Sequence, residues 1–197
     1  MNEHSDTAES LHDKIFEKAR PYLSTRHNET HVTLSSMYAR RLLKFYPDAD
    51  EEIVLLAIIL HDVGWKMVPE EKQLAAFGPK CKDEETRRLH EVEGARIAEG
   101  ILRSFSYDED KMRRILTIID GHDTREKTVS LEDILVKDAD KLWRYNPIGV
   151  DIDYRRYQID REPYMAYLEG MIEKWFLTAE AKDMARKALA ETRKKDG

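Results

Sequence analysis

A chain of 197 residues is long enough for one domain with a sizeable core. Its 33 basic and 39 acidic side chains leave a net charge of −6, which excludes the basic footprint of a protein that binds a nucleic-acid polymer. The longest apolar run is far short of a membrane span, and the first residues lack a basic segment followed by an apolar one, so the expected location is cytoplasmic. The single Cys81 forms no internal disulfide and fits a reducing compartment.

The eight glycines and six prolines fall between periodic segments, there is no internal repeat, and the chain reads as all-α. A first helix is expected over residues 10 to about 22, with Leu11, Ile15, Phe16 and Ala19 on one face and Pro21 disturbing its end. A polar linker leads into a second helix that ends before Pro47, with Asn28 as the expected N-cap and His31 in the first turn. The positive end of a helix disfavours imidazolium, which keeps a ring nitrogen of His31 free to ligate.

Asp48 or Asp50 caps the next helix, Glu51 and Glu52 occupy its first turn, and Gly64 terminates it. Residues 65–84, with Pro69, Gly78 and Pro79, read as a long irregular loop suited to a lid or specificity role. A helix over 85–105 places His90, Gly94, Ile97 and Ile101 on one face. The following helix, 108–120, carries Ile115, Ile118 and Ile119, and His122 continues that face. Ser130 with Asp133 resembles a capping box opening a helix that contains Leu135, Asp138, Asp140 and Leu142. Tyr154 to Tyr157 suggests a short helix, followed by helices over 164–176 and 179–193 and a frayed tail, Lys194 to Gly197.

The element that organises the rest is Ile53-Val54-Leu55-Leu56-Ala57-Ile58-Ile59-Leu60-His61-Asp62-Val63-Gly64. An uninterrupted apolar helix is buried on every side, and two ionisable groups at its end need pairing, hydrogen bonds or a metal. The dipeptide alone means little, because His12-Asp13 and His122-Asp123 repeat it. His12-Asp13 follows no buried run and reads as surface. His31, His90 and His122 lie at helix ends or on apolar faces of other helices, and a late aspartate joins them. Neutral imidazoles and carboxylates are ligands for a divalent metal, and the absence of cysteine partners argues against a structural zinc cage. Helical periodicity places Asp138 nearer the apolar stripe of its helix than Asp140, so both stay open as the late ligand. His4 reads as terminal, His27 as a linker residue able to orient a ligand, and Trp65, Trp143 and Trp175 as core or lid anchors. Lys66 and Arg144 flank the proposed ligands and are candidates for holding a phosphate.

The order His31, His61-Asp62, His90, His122 and Ala139-Asp140-Lys141-Leu142, with "LHDVG" and "ADKL", resembles the HD-domain superfamily of metal-dependent phosphohydrolases. The resemblance spans about residues 25–145 and implies a single-domain helical bundle, with 1–24 packing on the core and 146–197 extending it. It implies a first metal held by His31, His61, Asp62 and Asp140, and a second held by His90 and His122 with Asp62 bridging. It thereby favours Asp140 as ligand and leaves Asp138 beside it. Trp65 stands where relatives that cleave cyclic dinucleotides often carry lysine, which weakens that substrate class.

The implied activity is hydrolysis of a small, nucleotide-like phosphate ester or anhydride by metal-activated water, with Asp62 and Lys66 in catalysis and Lys66 and Arg144 on the substrate. Iron or manganese is the expected metal, with nickel, magnesium or zinc compatible, and the expected partner is a small phosphorylated molecule. A di-iron oxygenase of the same superfamily and a non-catalytic ligand-binding HD domain are the alternatives.

Overall fold

The computed structural model describes residues 10–76, 79 and 83–194. His4, Gly78, Cys81 and the last three residues of the tail lie outside the described residues. Among the described residues every regular element is helical, and no helix is long and apolar enough to cross a membrane.

Helix α1 (Leu11–Ala19) opens on a full capping box: Ser10 Oγ accepts from the Asp13 amide, and Asp13 accepts from the Ser10 amide. This explains the first HD dipeptide, whose aspartate is the third-position partner of the Ser10 capping box. Helix α2 (Asn28–Leu43) differs from expectation at its start. His27 is the N-cap, in the left-handed conformation with φ 59°, and makes no capping hydrogen bond. Asn28 is already helical and buried, and its Nδ2 donates to the Asp62 carbonyl at 3.4 Å. The residue that looked like a cap instead ties the start of α2 to the HD pair.

Helix α3 (Glu51–Leu60) is the centre of the core, and Ile53 to Leu60 are all buried. Asp50 is its cap, accepting from the amides of Glu52 and Ile53. The apolar sequence has no polar face to show solvent, so α1, α2 and the later helices α6 (Glu109–Ile119) and α7 (Leu131–Leu142) pack around it. Gly64 does not end α3 by a left-handed turn. His61 and Asp62 leave the helix, and a 3-10 turn (Val63–Met67) follows. A Cβ on Gly64 would lie 1.9 Å from the His90 carbonyl oxygen and 2.4 Å from the Gly94 amide nitrogen. Glycine is therefore required for backbone-to-backbone contact between this turn and α5 (Glu84–Ser104). That contact sets His90 beside His61-Asp62.

The segment expected to be irregular contains that turn, a one-turn helix α4 (Glu70–Gln73) and a second 3-10 turn (Leu74–Ala76). Trp65, Val68 and Ala76 form a small apolar cluster beneath it. The buried Gln73 carboxamide donates to the carbonyls of Trp65 and Val68 at 3.2 and 2.9 Å, which anchors the segment.

Helix α6 (Glu109–Ile119) leads to His122, and α7 (Leu131–Leu142) carries Asp138 and Asp140. At the start of α7 Ser130 Oγ accepts from the Asp133 amide, but Asp133 accepts from Val129 N–H, one residue upstream of a capping-box partner. The short helix expected at Tyr154 is the end of α8 (Pro147–Arg156), capped by Asn146 with proline at its first position. Helices α9 (Arg161–Trp175) and α10 (Ala179–Lys194) complete the described chain, and α10 packs on both α7 and α9.

Candidate metal centre

The carbonyl of Ile58 can only accept, so the His61 Nδ1 atom 2.8 Å away carries the hydrogen, and Nε2 is turned to the cluster. His122 repeats the arrangement, its Nδ1 lying 2.9 Å from the Ile119 carbonyl. Backbone acceptors thus fix which nitrogen of each ring faces inward, as they do for metal-ligating histidines.

Five elements deliver the inward-facing atoms into two groups. In the first, the Nε2 atoms of His31 and His61 are 2.9 Å apart, and each is 3.3 Å from Asp140 Oδ1. In the second, the Nε2 atoms of His90 and His122 are 3.2 Å apart. Asp62 joins the groups: Oδ2 is 3.4 Å from His31, while Oδ1 is 3.7, 3.8 and 3.6 Å from His61, His90 and His122. An ion about 2.1 Å from each donor separates neighbouring donors by roughly 3 to 4 Å, and both groups fit.

Electrostatics agrees with the geometry. Burial lowers the His31 pKa, and burial with the neighbouring His122 pushes His90 down to about 4. Burial also opposes charge on His61 and His122, but the carboxylates outweigh it: Asp62 and Asp140 raise His61, and Asp62 with Asp123 lifts His122 to about 9. Asp62 lies well below the usual carboxylate range, because the four histidines overcome the cost of its burial. In each pair one imidazole is pushed toward the neutral form and its neighbour toward the charged one, across two nitrogens at hydrogen-bonding distance. A divalent cation fits the same position with the same partners.

The family model described as HD domain matches residues 27–144. The chain belongs to the HD-domain family. No curated protein and no solved structure matches the chain significantly. HD domains are typical of metal-dependent hydrolases, and the clustered histidines and aspartates of this one suit a divalent metal.

Not every residue singled out in the sequence reaches the HD cluster. Asp138 is fully buried, but it accepts from the amides of Leu177 and Thr178 at 2.8 and 2.9 Å and from Thr178 Oγ1 at 2.6 Å. It ties α7 to the connection between α9 and α10 and is not placed to orient a ligand. Lys66 is exposed and donates to Ser24 Oγ at 3.1 Å, outside the cleft over the cluster. His27 is exposed on the wall of a neighbouring groove. Arg144 does line the cleft, paired with the buried Asp153 at 2.6 Å.

The fold also brings in residues that sequence reasoning missed. Arg26 and Arg156 line the same cleft as Arg144 and cross-link there, Arg156 donating to the Arg26 carbonyl at 2.5 Å. Trp65 donates to Asp62 Oδ1 at 3.0 Å and stacks on His90. Asp123 Oδ2 lies 3.7 and 3.9 Å from the Nε2 atoms of His90 and His122. Its signal was visible as the third HD dipeptide. Arg26 gave none, being a lone arginine in a polar linker, and Arg156 gave none beyond its place in the Arg155-Arg156 pair of an expected short helix. A recess of about 240 Å³ continues from Asp123, Asp140 and Arg144 toward Tyr157, Tyr167 and Trp175.

Proposed function

We propose that the chain is a metal-dependent phosphohydrolase acting on a small, nucleotide-like phosphate ester or anhydride. The observation that carries the reading is the division of Asp62 between two histidine pairs, a bridging disposition in a buried site. His31, His61, Asp62 and Asp140 would hold one divalent ion, and His90 and His122 a second with Asp62 shared. Iron or manganese suits this mixed donor set, and nickel, magnesium and zinc are compatible.

When bound, the metal supplies a Lewis acid and an activated water. The chain's own residues do the rest. Trp65 N–H fixes the Asp62 carboxylate, and Ile58 and Ile119 fix the histidine tautomers. Arg144, with Arg26 and Arg156, presents positive charge at the cleft to offset charge building on a phosphoryl group. Burial opposes the Arg144 charge, but Tyr157 and Asp153 raise its pKa, so it stays a cation throughout. Lys66, held at Ser24, stands outside the lining of this cleft. The aromatic side of the recess supports a substrate with a planar ring, by stacking and exclusion of water.

The test is phosphate release from nucleotides, dinucleoside polyphosphates and pyrophosphate with added Mn²⁺ or Mg²⁺. Turnover is expected to disappear in His61→Ala and Asp62→Ala proteins of unchanged circular dichroism; unaltered turnover would count against the reading. The close His90–His122 pair, 3.2 Å apart, also favours a second reading as a di-iron oxygenase. Oxygen uptake by the iron-loaded protein, without phosphate release, would select it.

A further inference from the structure

We infer that Asp123 is the terminal carboxylate of the second metal position, so that the two positions are built alike: two histidines, one terminal aspartate and a share of Asp62. The inference rests on the metal-binding reading of the cluster and not on the reaction.

Three observations carry it. The first is the correspondence of the two groups. Asp140 Oδ1 stands 3.3 Å from both His31 and His61, and Asp123 Oδ2 stands 3.7 and 3.9 Å from His90 and His122. All four distances lie within the roughly 3 to 4 Å between donors that share an ion.

The second is that pairing with Arg87 does not account for the carboxylate. The Arg87 Nη2 atom makes its short contact, 2.8 Å, with the Asp123 backbone carbonyl, and is 3.8 Å from Oδ1. Oδ2, the atom facing the two histidines, is thereby left to them. A carboxylate meant for a surface ion pair would have its oxygens on the guanidinium.

The third is the clamping of the loop that carries His122 and Asp123. The Lys137 ammonium, buried below it, donates to the carbonyls of Gly121, His122 and Arg125 at 2.8, 2.8 and 3.2 Å. The buried Glu91 carboxylate accepts from the amides of Asp123 and Thr124, both at 2.8 Å, and from Thr124 Oγ1 at 2.6 Å. Two buried charges hold the backbone on either side of Asp123, which fixes the direction of its side chain as well as that of His122. Supporting residues of this kind are how ligands are held in place before a metal arrives.

The chemical consequence is a second position no weaker in charge than the first. Two neutral imidazoles and half of a shared carboxylate leave most of a divalent charge uncompensated. A terminal carboxylate on each side gives three anionic ligands for two ions and keeps the pair electrophilic, while making both occupancies stable.

The test is titration of metal-depleted protein with Mn²⁺, followed by calorimetry and by electron paramagnetic resonance, which separates exchange-coupled pairs from isolated ions. Wild type is expected to take two equivalents and show a coupled signal. Asp123→Asn keeps every backbone contact of the loop; it is expected to retain one tight equivalent, lose about 100-fold in affinity for the other and show isolated Mn²⁺. Asp140→Asn is expected to spare one equivalent in the same way. Should Asp123→Asn not fold, Asp123→Ser takes its place in the titration. Two coupled equivalents in the Asp123 variant at wild-type affinity would overturn the assignment, as would a wild-type stoichiometry of one. Failure of wild type to bind any metal would instead overturn the metal reading beneath it.

Discussion

Trp65 lies flat on the His90 imidazole, with ring centroids 4.0 Å apart and planes 12° from parallel. The same side chain donates its indole N–H to Asp62 Oδ1 at 3.0 Å, so one residue braces a ligand of the second pair and the carboxylate shared by both. Phenylalanine at this position keeps the ring and removes the donor. Trp65→Phe is therefore expected to lower affinity for both metal equivalents by about tenfold, the range found when a ligand loses its supporting hydrogen bond. Loss of stability should be near 1 kcal/mol, the usual net worth of such a bond. Metal titration beside chemical denaturation checks both; unchanged affinity would mean that Asp62 is positioned without Trp65.

Contact between Gly64 and α5 couples the fold to the site more rigidly. A methyl group there meets the His90 carbonyl and the Gly94 amide, both backbone, so no side chain can move aside to admit it. Gly64→Ala should cost about 3 kcal/mol or more by forcing the turn and α5 apart. The same displacement carries His90 away from Asp62, and the second equivalent of metal should be lost before the first. Denaturation midpoints and metal stoichiometry of the folded fraction read the two effects separately.

Asp138 and Asp140 separate stability from metal binding within one helix. Asp138→Ala strands the amides of Leu177 and Thr178 and should cost about 2 kcal/mol while leaving metal stoichiometry at its wild-type value. Asp140→Ala should do the reverse, losing metal at the His31–His61 pair with a smaller effect on folding. An Asp138→Ala protein that lost metal at full stability would contradict the structural role given to it.

These two aspartates also show where sequence reasoning stops. Periodicity marked Asp138 as buried, and it is, but periodicity cannot distinguish a carboxylate buried to cap a connection from one buried to hold a metal. Only Thr178, some forty residues later in the chain, explains Asp138. The central helix was legible because an unbroken apolar run leaves a single reading, and α5 was placed within a residue at either end because its apolar face repeats regularly. Helix α8 was mostly missed, since Pro147 and Gly149 look like breakers. In the fold Pro147 is the first helical residue, and a Cβ on Gly149 would lie 2.0 Å from the Trp143 carbonyl oxygen, so both have positional reasons to be there. Asp123 was passed over although its dipeptide was in plain view, because nothing local says which way a residue beyond a helix end will face.

The aromatic wall of the recess, Tyr157, Tyr164, Tyr167 and Trp175, lies beyond the HD match, so substrate preference should be separable from catalysis. Trp175 meets Tyr167 edge to face, with centroids 5.8 Å apart, and lines the recess some distance along the chain from any proposed ligand. Trp175→Ala is expected to raise KM for a nucleoside phosphate by about tenfold, the worth of a stacked or edge-on aromatic contact, with little change in kcat. KM for pyrophosphate, which has no ring, should stay within about twofold of wild type, with the factor of tenfold corresponding to about 1.4 kcal/mol. Equal losses on both substrates would show that Trp175 supports the fold and not the ring.

Proton and metal compete most directly at His122. Burial disfavours its imidazolium, but Asp62 and then Asp123 outweigh that cost and hold the folded pKa up to about 9, above the ordinary 6.5. A raised folded pKa stabilises the metal-free protein fully below pH ~6.5 and loses that contribution as pH rises through about 9, on the order of 3 kcal/mol in all. Ligation needs the neutral ring, so metal at the second position must displace this proton. His90, held down at about 4, has none to give up near neutrality. Affinity for the second equivalent should therefore climb by about tenfold per pH unit from 6.5 toward 9. Over the same interval the metal-free melting temperature should fall and the increment from saturating Mn²⁺ should grow. Thermal scans at pH 6.5, 7.5 and 8.5, with and without metal, measure both trends, and an increment independent of pH would show that no proton leaves His122 on binding.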